Sequence, residues 1–90
     1  MKAFHAVVEG EVQGVGFRYS AAREARSLGI TGWVRNAGDG TVEVWAEGSD
    51  ADLEAFLKWL RVGPSPAWVR ELHSTRETPK GIYSAFGISF

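Results

Sequence analysis

The sequence predicts an α+β fold in which two helices cover one face of an antiparallel β-sheet. Two segments carry apolar residues at helical spacing, and several others alternate apolar and polar side chains as half-buried strands do. Ninety residues, of which 44% are hydrophobic and 23% are charged, are enough for one modest core. We therefore expect a single domain that spans residues 1–90.

The first half of the chain predicts a strand, a helix and a β-hairpin. Apolar residues alternate over residues 2–9, and residues 18–28 have the spacing of a helix that Gly29 would end. Residues 30–36 and 41–47 predict the two strands of the hairpin. The turn sequence Ala-Gly-Asp-Gly separates them, and the second strand alternates cleanly.

The second half predicts another helix and two further strands. Ser49 and Asp52 form a capping pattern at the start of the helix, whose apolar face extends to a Gly-Pro-Ser-Pro stop. Residues 67–74 predict a strand with blurred alternation, and residues 82–90 predict a short final strand. The order β-α-β-β-α-β with one extra strand is the split βαβ, or ferredoxin-like, pattern. Its two central strands are the first and the third.

Composition and charge exclude several classes of protein. The net charge is −1, and the basic residues are scattered among acidic ones, which argues against binding of nucleic acid through its phosphates. No window approaches 18 consecutive apolar residues, so we expect no membrane span. The absence of cysteine removes thiolate metal sites and suits the reducing cytoplasm. We expect a cytoplasmic protein whose ligand is a small anion.

The segment VEGEVQGVGFR, residues 8–18, carries the strongest chemical signal. It joins a strand to a helix, and its three glycines allow the backbone to turn sharply and to approach a ligand. Consecutive N–H groups in such a loop can form an anion-binding nest beside the helix N-terminus. Arg18 is a cation at a helix start, where the dipole disfavours it unless an anion is bound. The alternative is an ordinary glycine loop with a solvated arginine, and spacing alone does not decide between them.

Asn36 ends the second predicted strand, directly before the turn. Local sequence favours a role in the turn itself, because asparagine is a common turn residue. The split βαβ topology nevertheless permits Asn36 to converge with Arg18 at one edge of the molecule.

Other polar residues have simpler structural explanations. His5 and His73 lack a third convergent ligand, so neither predicts a metal site. Ser20 has no evident base to activate it as a nucleophile. The acidic residues at positions 50, 52 and 54 suit the dipole of a helix N-terminus, so capping is favoured over metal binding.

Two motifs resemble the signatures of the acylphosphatase family. VEGEVQGVGFR resembles the first, and GWVRNAGDGTVEVWAEG, residues 32–48, resembles the second; together they cover 28 of the 90 residues. Acylphosphatases hydrolyse mixed anhydrides of carboxylic acids and phosphate, without a metal or another cofactor. The resemblance therefore implies a hydrolase whose partner is a small-molecule acyl phosphate.

The resemblance also implies roles for individual residues. Arg18 corresponds to the phosphate-binding arginine of the family, and Asn36 corresponds to its water-positioning asparagine. The phosphate cradle falls on the backbone of five consecutive residues, Gln13, Gly14, Val15, Gly16 and Phe17. Since the chain ends at Phe90, we expect a stand-alone enzyme. Nothing in the sequence indicates an obligate partner, so we expect a monomer.

Two other functions stay open. The first is a binding module that keeps the anion pocket but has no turnover, or a related role with carbamoyl phosphate as in larger carbamoyl-transfer proteins. The second is an RNA-binding module of the same topology, which needs aromatic residues on both central strands and a basic-glycine-aromatic motif on the third. The third strand has the sequence TVEVWAEG, whose glutamates disfavour that function.

Overall fold

The computed structural model describes all 90 residues and contains two helices packed on a five-stranded sheet. The strands are β1 (Lys2–Glu11), β2 (Thr31–Asn36), β3 (Val42–Gly48), β4 (Trp68–Glu77) and β5 (Phe86–Ser89), and the helices are α1 (Phe17–Ser27) and α2 (Asp50–Val62). The strand order is β4-β1-β3-β2-β5, so β1 and β3 are central as predicted.

The fifth strand makes the sheet mixed instead of wholly antiparallel. β1 pairs antiparallel with β3 and β4, and β2 pairs antiparallel with β3. β5 pairs parallel with β2, where Val34 lies beside Ile88. The connection after β4 crosses from one edge of the sheet to the other. β5 then runs in the direction opposite to β4, which is the direction of β2. The ferredoxin-like arrangement is present, and the orientation of its last strand corrects the prediction of a purely antiparallel sheet.

The boundaries of the last two strands also differ from the prediction. β4 continues to Glu77, where the prediction ended at residue 74, because Glu77 pairs with Ala3 of β1. Residues 82–85 were predicted as strand but belong to the connection, in which Ile82 is 73% exposed. Both errors concern edge strands. Most residues of β4 are exposed, so its sequence shows little alternation.

The core lies between the sheet and the helices and contains 17 buried apolar residues. Ala21 and Ala25 of α1 are fully buried, as the helical spacing predicts. Leu53, Phe56 and Leu60 form the buried face of α2, again at the predicted spacing. Three of the four buried residues of α1 are alanines, whose small side chains permit close packing of that helix against the sheet.

The two helices begin in different ways. Ser49 precedes α2, and its Oγ accepts a hydrogen bond from the N–H of Asp52 at 3.2 Å, as the capping pattern predicts. Gly16 precedes α1 and provides no side-chain cap. The helices have 11 and 13 residues, and neither is long and apolar enough to cross a bilayer. The uncapped start of α1 is where the candidate site lies.

A buried carboxylate fixes the connection between β4 and β5. Glu47 is 1% exposed, although the alternation of β3 predicts it on a water-facing side. Its carboxylate accepts hydrogen bonds from Trp45 Nε1 at 2.8 Å and from the backbone N–H groups of Lys80 at 2.9 Å and Gly81 at 3.2 Å. Burial opposes its ionisation, but these donors hold the pKa of Glu47 below its usual value of 4.5.

Replacing this carboxylate should destabilise the fold. In Glu47→Gln an amide nitrogen faces donors that need an acceptor, so we expect a loss of about 1–3 kcal/mol at pH 7 in urea unfolding. The folded-state pKa lies below the unfolded one, so this stabilisation is present above pH 4.5 and is lost as the pH falls through the folded-state pKa. The difference between the native protein and the variant should therefore shrink in acid.

The matched control for this experiment is Glu77→Gln, since Glu77 is exposed and forms no side-chain hydrogen bond or ion pair. An equal loss of stability in both variants would contradict the role of Glu47.

Candidate active site

A cavity of about 300 Å³ opens where the end of β1, the start of α1 and the ends of β2 and β5 meet. Five of the seven predicted site residues line it, namely Gly14, Gly16, Phe17, Arg18 and Asn36. Gln13 and Val15 do not. Val15 packs against the core, and the Gln13 side chain is directed to the β2–β3 turn. The cavity thus brings Arg18 and Asn36 to one place, which local sequence could not decide.

The loop between β1 and α1 presents a series of unpaired backbone donors. None of the N–H groups of residues 13–16 donates a hydrogen bond to another group of the protein. Gly14 and Gly16 have φ angles of 75° and 73°, a left-handed conformation that other residues adopt at a cost. Donors in such a loop, beside a helix N-terminus without a side-chain cap, can bind an anion.

Arg18 is the second residue of α1, where no acidic residue accompanies it in the first turn. Arg35, Arg70 and Arg76 each form an ion pair with a carboxylate, but Arg18 forms none. Its guanidinium carbon lies 4.8 Å from the centre of the Phe90 ring. The charge of Arg18 is therefore not neutralised within the protein and is available to an anion in the cavity.

Asn36 presents a carboxamide that has no partner. Its Oδ1 is buried and accepts no hydrogen bond, and its Nδ2 donates none but remains accessible. Leaving a buried acceptor unsatisfied costs about 1–3 kcal/mol, and such groups concentrate where function requires them. The turn after Asn36 uses a different side chain, since Asp39 Oδ1 accepts from the N–H and Oγ1 of Thr41 at 3.1 and 2.6 Å. Asn36 is thus not needed to form the turn.

The side chain of Gln13 has a contact that sequence reasoning missed. Its Nε2 donates to the carbonyl oxygens of Ala37 at 2.8 Å and of Thr41 at 2.9 Å. These bonds join positions 24 and 28 residues apart, so no local pattern signals them. The family resemblance implies a role for the backbone of Gln13 only.

Side chains of the types that ligate metal ions also cluster at a second place, away from the cavity. Ligand atoms of Glu9, Glu71 and His73, on β1 and β4, lie within 4.8 Å of one another, so His73 does have convergent partners. His73 Nε2 lies 2.7 Å from Glu9, and His5 Nε2 lies 2.5 Å from Glu43 on β3. Hydrogen bonds to carboxylates on neighbouring strands therefore account for both histidines.

The fold and the cavity together define a ferredoxin-like α+β protein whose first strand and first helix meet at a cavity with unpaired hydrogen-bond donors. Comparison with known proteins makes the assignment more specific. A family model described as acylphosphatase matches residues 4–88. The chain is 48% identical over 86 residues to the acylphosphatase of Bordetella parapertussis, covering 96% of this chain and 92% of that protein.

Solved structures agree with this result. The acylphosphatase from Bacillus subtilis superposes with a TM-score of 0.96 at 34% identity, over 100% of both chains. Full-length HypF in its phosphate- and nucleotide-bound form has a TM-score of 0.91 at 30% identity, over 99% of this chain but 12% of that one. The chain therefore belongs to the acylphosphatase family. The predictions of an acylphosphatase hydrolase and of its ferredoxin-like fold are confirmed.

The conformation of the loop predicts the effect of adding one methyl group. In Gly16→Ala the left-handed backbone would strain an alanine by about 1–2 kcal/mol, measured as a lower free energy of unfolding in urea. Gly38→Ala is the matched control, because Gly38 has no positive φ and a Cβ there meets no atom within 4 Å. Equal unfolding midpoints for the two variants would show that residue 16 is not held in this conformation.

Proposed function

We propose that this protein hydrolyses small acyl phosphates, with Arg18 and the backbone of residues 13–17 binding the phosphate and Asn36 orienting the attacking water. The observation that carries the proposal is a single cavity lined by an unpaired guanidinium, a glycine loop with unpaired N–H groups and an unpaired carboxamide. In the proposed reaction the phosphate supplies partners for the guanidinium and the loop N–H groups, and the attacking water supplies one for the accessible Nδ2 of Asn36.

The phosphate is held by charge and by directed donors. Arg18 has a planar fork of N–H groups that matches two phosphate oxygens, and no carboxylate competes for it. The loop N–H groups and the start of α1 reach the remaining oxygens and add a favourable dipole. These donors are fixed before the substrate arrives, so they stabilise the charge of the phosphoryl group without reorganisation.

Asn36 orients the water without adding charge. Its accessible Nδ2 donates to one lone pair of the water oxygen, and the second lone pair then attacks phosphorus. A neutral amide does not repel the phosphate dianion, as a carboxylate in the same place would. An amide is too weak a base to accept the water proton. That proton passes to an oxygen of the substrate's own phosphate.

The reaction needs little further help from side chains. Attack forms a bond between the water oxygen and phosphorus, and the bond between phosphorus and the acyl oxygen breaks with its electron pair on the carboxylate. The products are the carboxylate and dihydrogen phosphate, which together retain both water protons. A carboxylate is a good leaving group, and the cavity is lined by no Asp, Glu or His that would protonate it. Positioning and charge stabilisation therefore carry the catalysis.

We propose that residues 1–90 act as one domain, as a monomer, in the cytoplasm. The enclosed core of 17 apolar residues supports the first two points, and the absence of cysteine fits the third. Sedimentation velocity at assay concentration tests the monomer, and a dimer would contradict it.

Arg18→Ala should weaken phosphate binding together with turnover. Loss of charge-assisted hydrogen bonds worth about 1.5–3 kcal/mol corresponds to roughly 10- to 100-fold in the inhibition constant of inorganic phosphate. Benzoyl phosphate hydrolysis, followed spectroscopically, gives both that constant and kcat. Arg23→Ala is the control, since Arg23 is exposed on the same helix, unpaired and outside the cavity. Phosphate inhibition unchanged in Arg18→Ala would exclude Arg18 as the phosphate ligand.

Asn36→Ala should separate binding from turnover. We expect kcat for benzoyl phosphate to fall about 10²–10³-fold, as for the loss of one preorganised donor, while inhibition by phosphate changes by less than about threefold. Asn36→Asp should be at least as slow, because its carboxylate repels the phosphate. Near-normal turnover in Asn36→Ala would overturn the mechanism. If the native protein left benzoyl phosphate at its background decay rate, the chain would be an anion-binding module instead.

A further inference from the structure

We propose that the Gln13 side chain is a positioning residue: it ties the glycine loop to the hairpin that carries Asn36, and so sets the distance between the bound phosphate and the attacking water. This inference rests on the proposed function. It concerns a side chain to which neither the family resemblance nor the cavity lining gives a role.

The carboxamide of Gln13 is fully used as a donor. Its two N–H groups reach Ala37 O at 2.8 Å and Thr41 O at 2.9 Å, and a glutamine amide has no third N–H to give. Gln13 does not line the cavity, so its side chain acts through the hairpin and not on the substrate.

The two acceptors belong to the turn that directly follows Asn36. The same carbonyl oxygens close the turn from within, because Ala37 N donates to Thr41 O at 2.8 Å and Gly40 N donates to Ala37 O at 3.2 Å. Gln13 is thus hydrogen-bonded to both ends of the turn. These two bonds are the only hydrogen bonds between residues 12–18 and residues 36–41.

The sheet alone leaves these two parts of the site far apart. The glycine loop follows β1, Asn36 ends β2, and β3 lies between those strands. With strands spaced about 4.8 Å apart, β1 and β2 are separated by about 10 Å. Gln13 spans this gap across the beginning of β3. Because a misplacement of about 1 Å can lower a rate about 100-fold, a direct link between the phosphate loop and the water-orienting residue has a catalytic consequence.

A double-mutant cycle tests the inference on the full chain, with Gln13→Ala, Asn36→Ala and the double variant assayed on benzoyl phosphate. Gln13→Ala should lower kcat about tenfold or more, while inhibition by inorganic phosphate changes by less than about threefold. In the Asn36→Ala background the same substitution should cost less than about twofold, since the water is no longer oriented there. Gln13→Met, which keeps the length but has no donor, should behave as Gln13→Ala, and it replaces that variant if the alanine protein does not fold.

The control distinguishes positioning from the integrity of the turn. Asp39→Ala removes the bonds from Asp39 to Thr41 but keeps the link to Gln13. It should lower the urea midpoint and keep kcat within about twofold of the native value. An equal loss of kcat in Asp39→Ala and Gln13→Ala overturns the inference, as do equal losses from Gln13→Ala in both Asn36 backgrounds. Turnover by the native protein at the background rate overturns the proposed function and this inference together.

Discussion

The unpaired N–H groups of residues 13–16 are the constraint on which the rest of the site depends. They exist because Gly14 and Gly16 turn the chain through left-handed conformations and because no side chain caps α1. The turn also puts Arg18 in the first helical turn, where the dipole disfavours a cation. Donors and a positive charge that lie together, with no carboxylate among the residues lining the cavity, form an arrangement that favours an anion.

Local pattern was enough to predict most of the fold. β1 and β3 show alternation, and α1 and α2 each show an apolar face. These patterns involve only residues close in sequence, so the sequence alone predicts the four elements. The direction of β5 and the end of β4 are not, because pairing between distant segments decides them. Glu47 shows the same limit. Its position in the alternation indicated an exposed residue, and a segment more than 30 residues later covers it.

The site divides in the same way. Arg18 and the glycines lie in one continuous stretch, so the local pattern alone identified them as candidates for one site, while their roles came from the family resemblance. Asn36 required knowledge of the topology, since its type alone favours a turn, and Asp39 takes that part instead. Nothing in the sequence indicates where the Gln13 amide points. Contacts of that kind depend on side-chain direction across a strand, which has no periodic signature.

The parallel addition of β5 has a consequence for the making of the protein. Ile88 and Phe90, which form one wall of the cavity, are synthesised well after Gly14, Gly16 and Arg18, which line the same cavity. β1 likewise can pair with β4, its neighbour at one edge of the sheet, only after residues 68–77 have been synthesised. A nascent chain can therefore form the glycine bend early, but the cavity is complete only once β5 and Phe90 have been synthesised and have joined the fold.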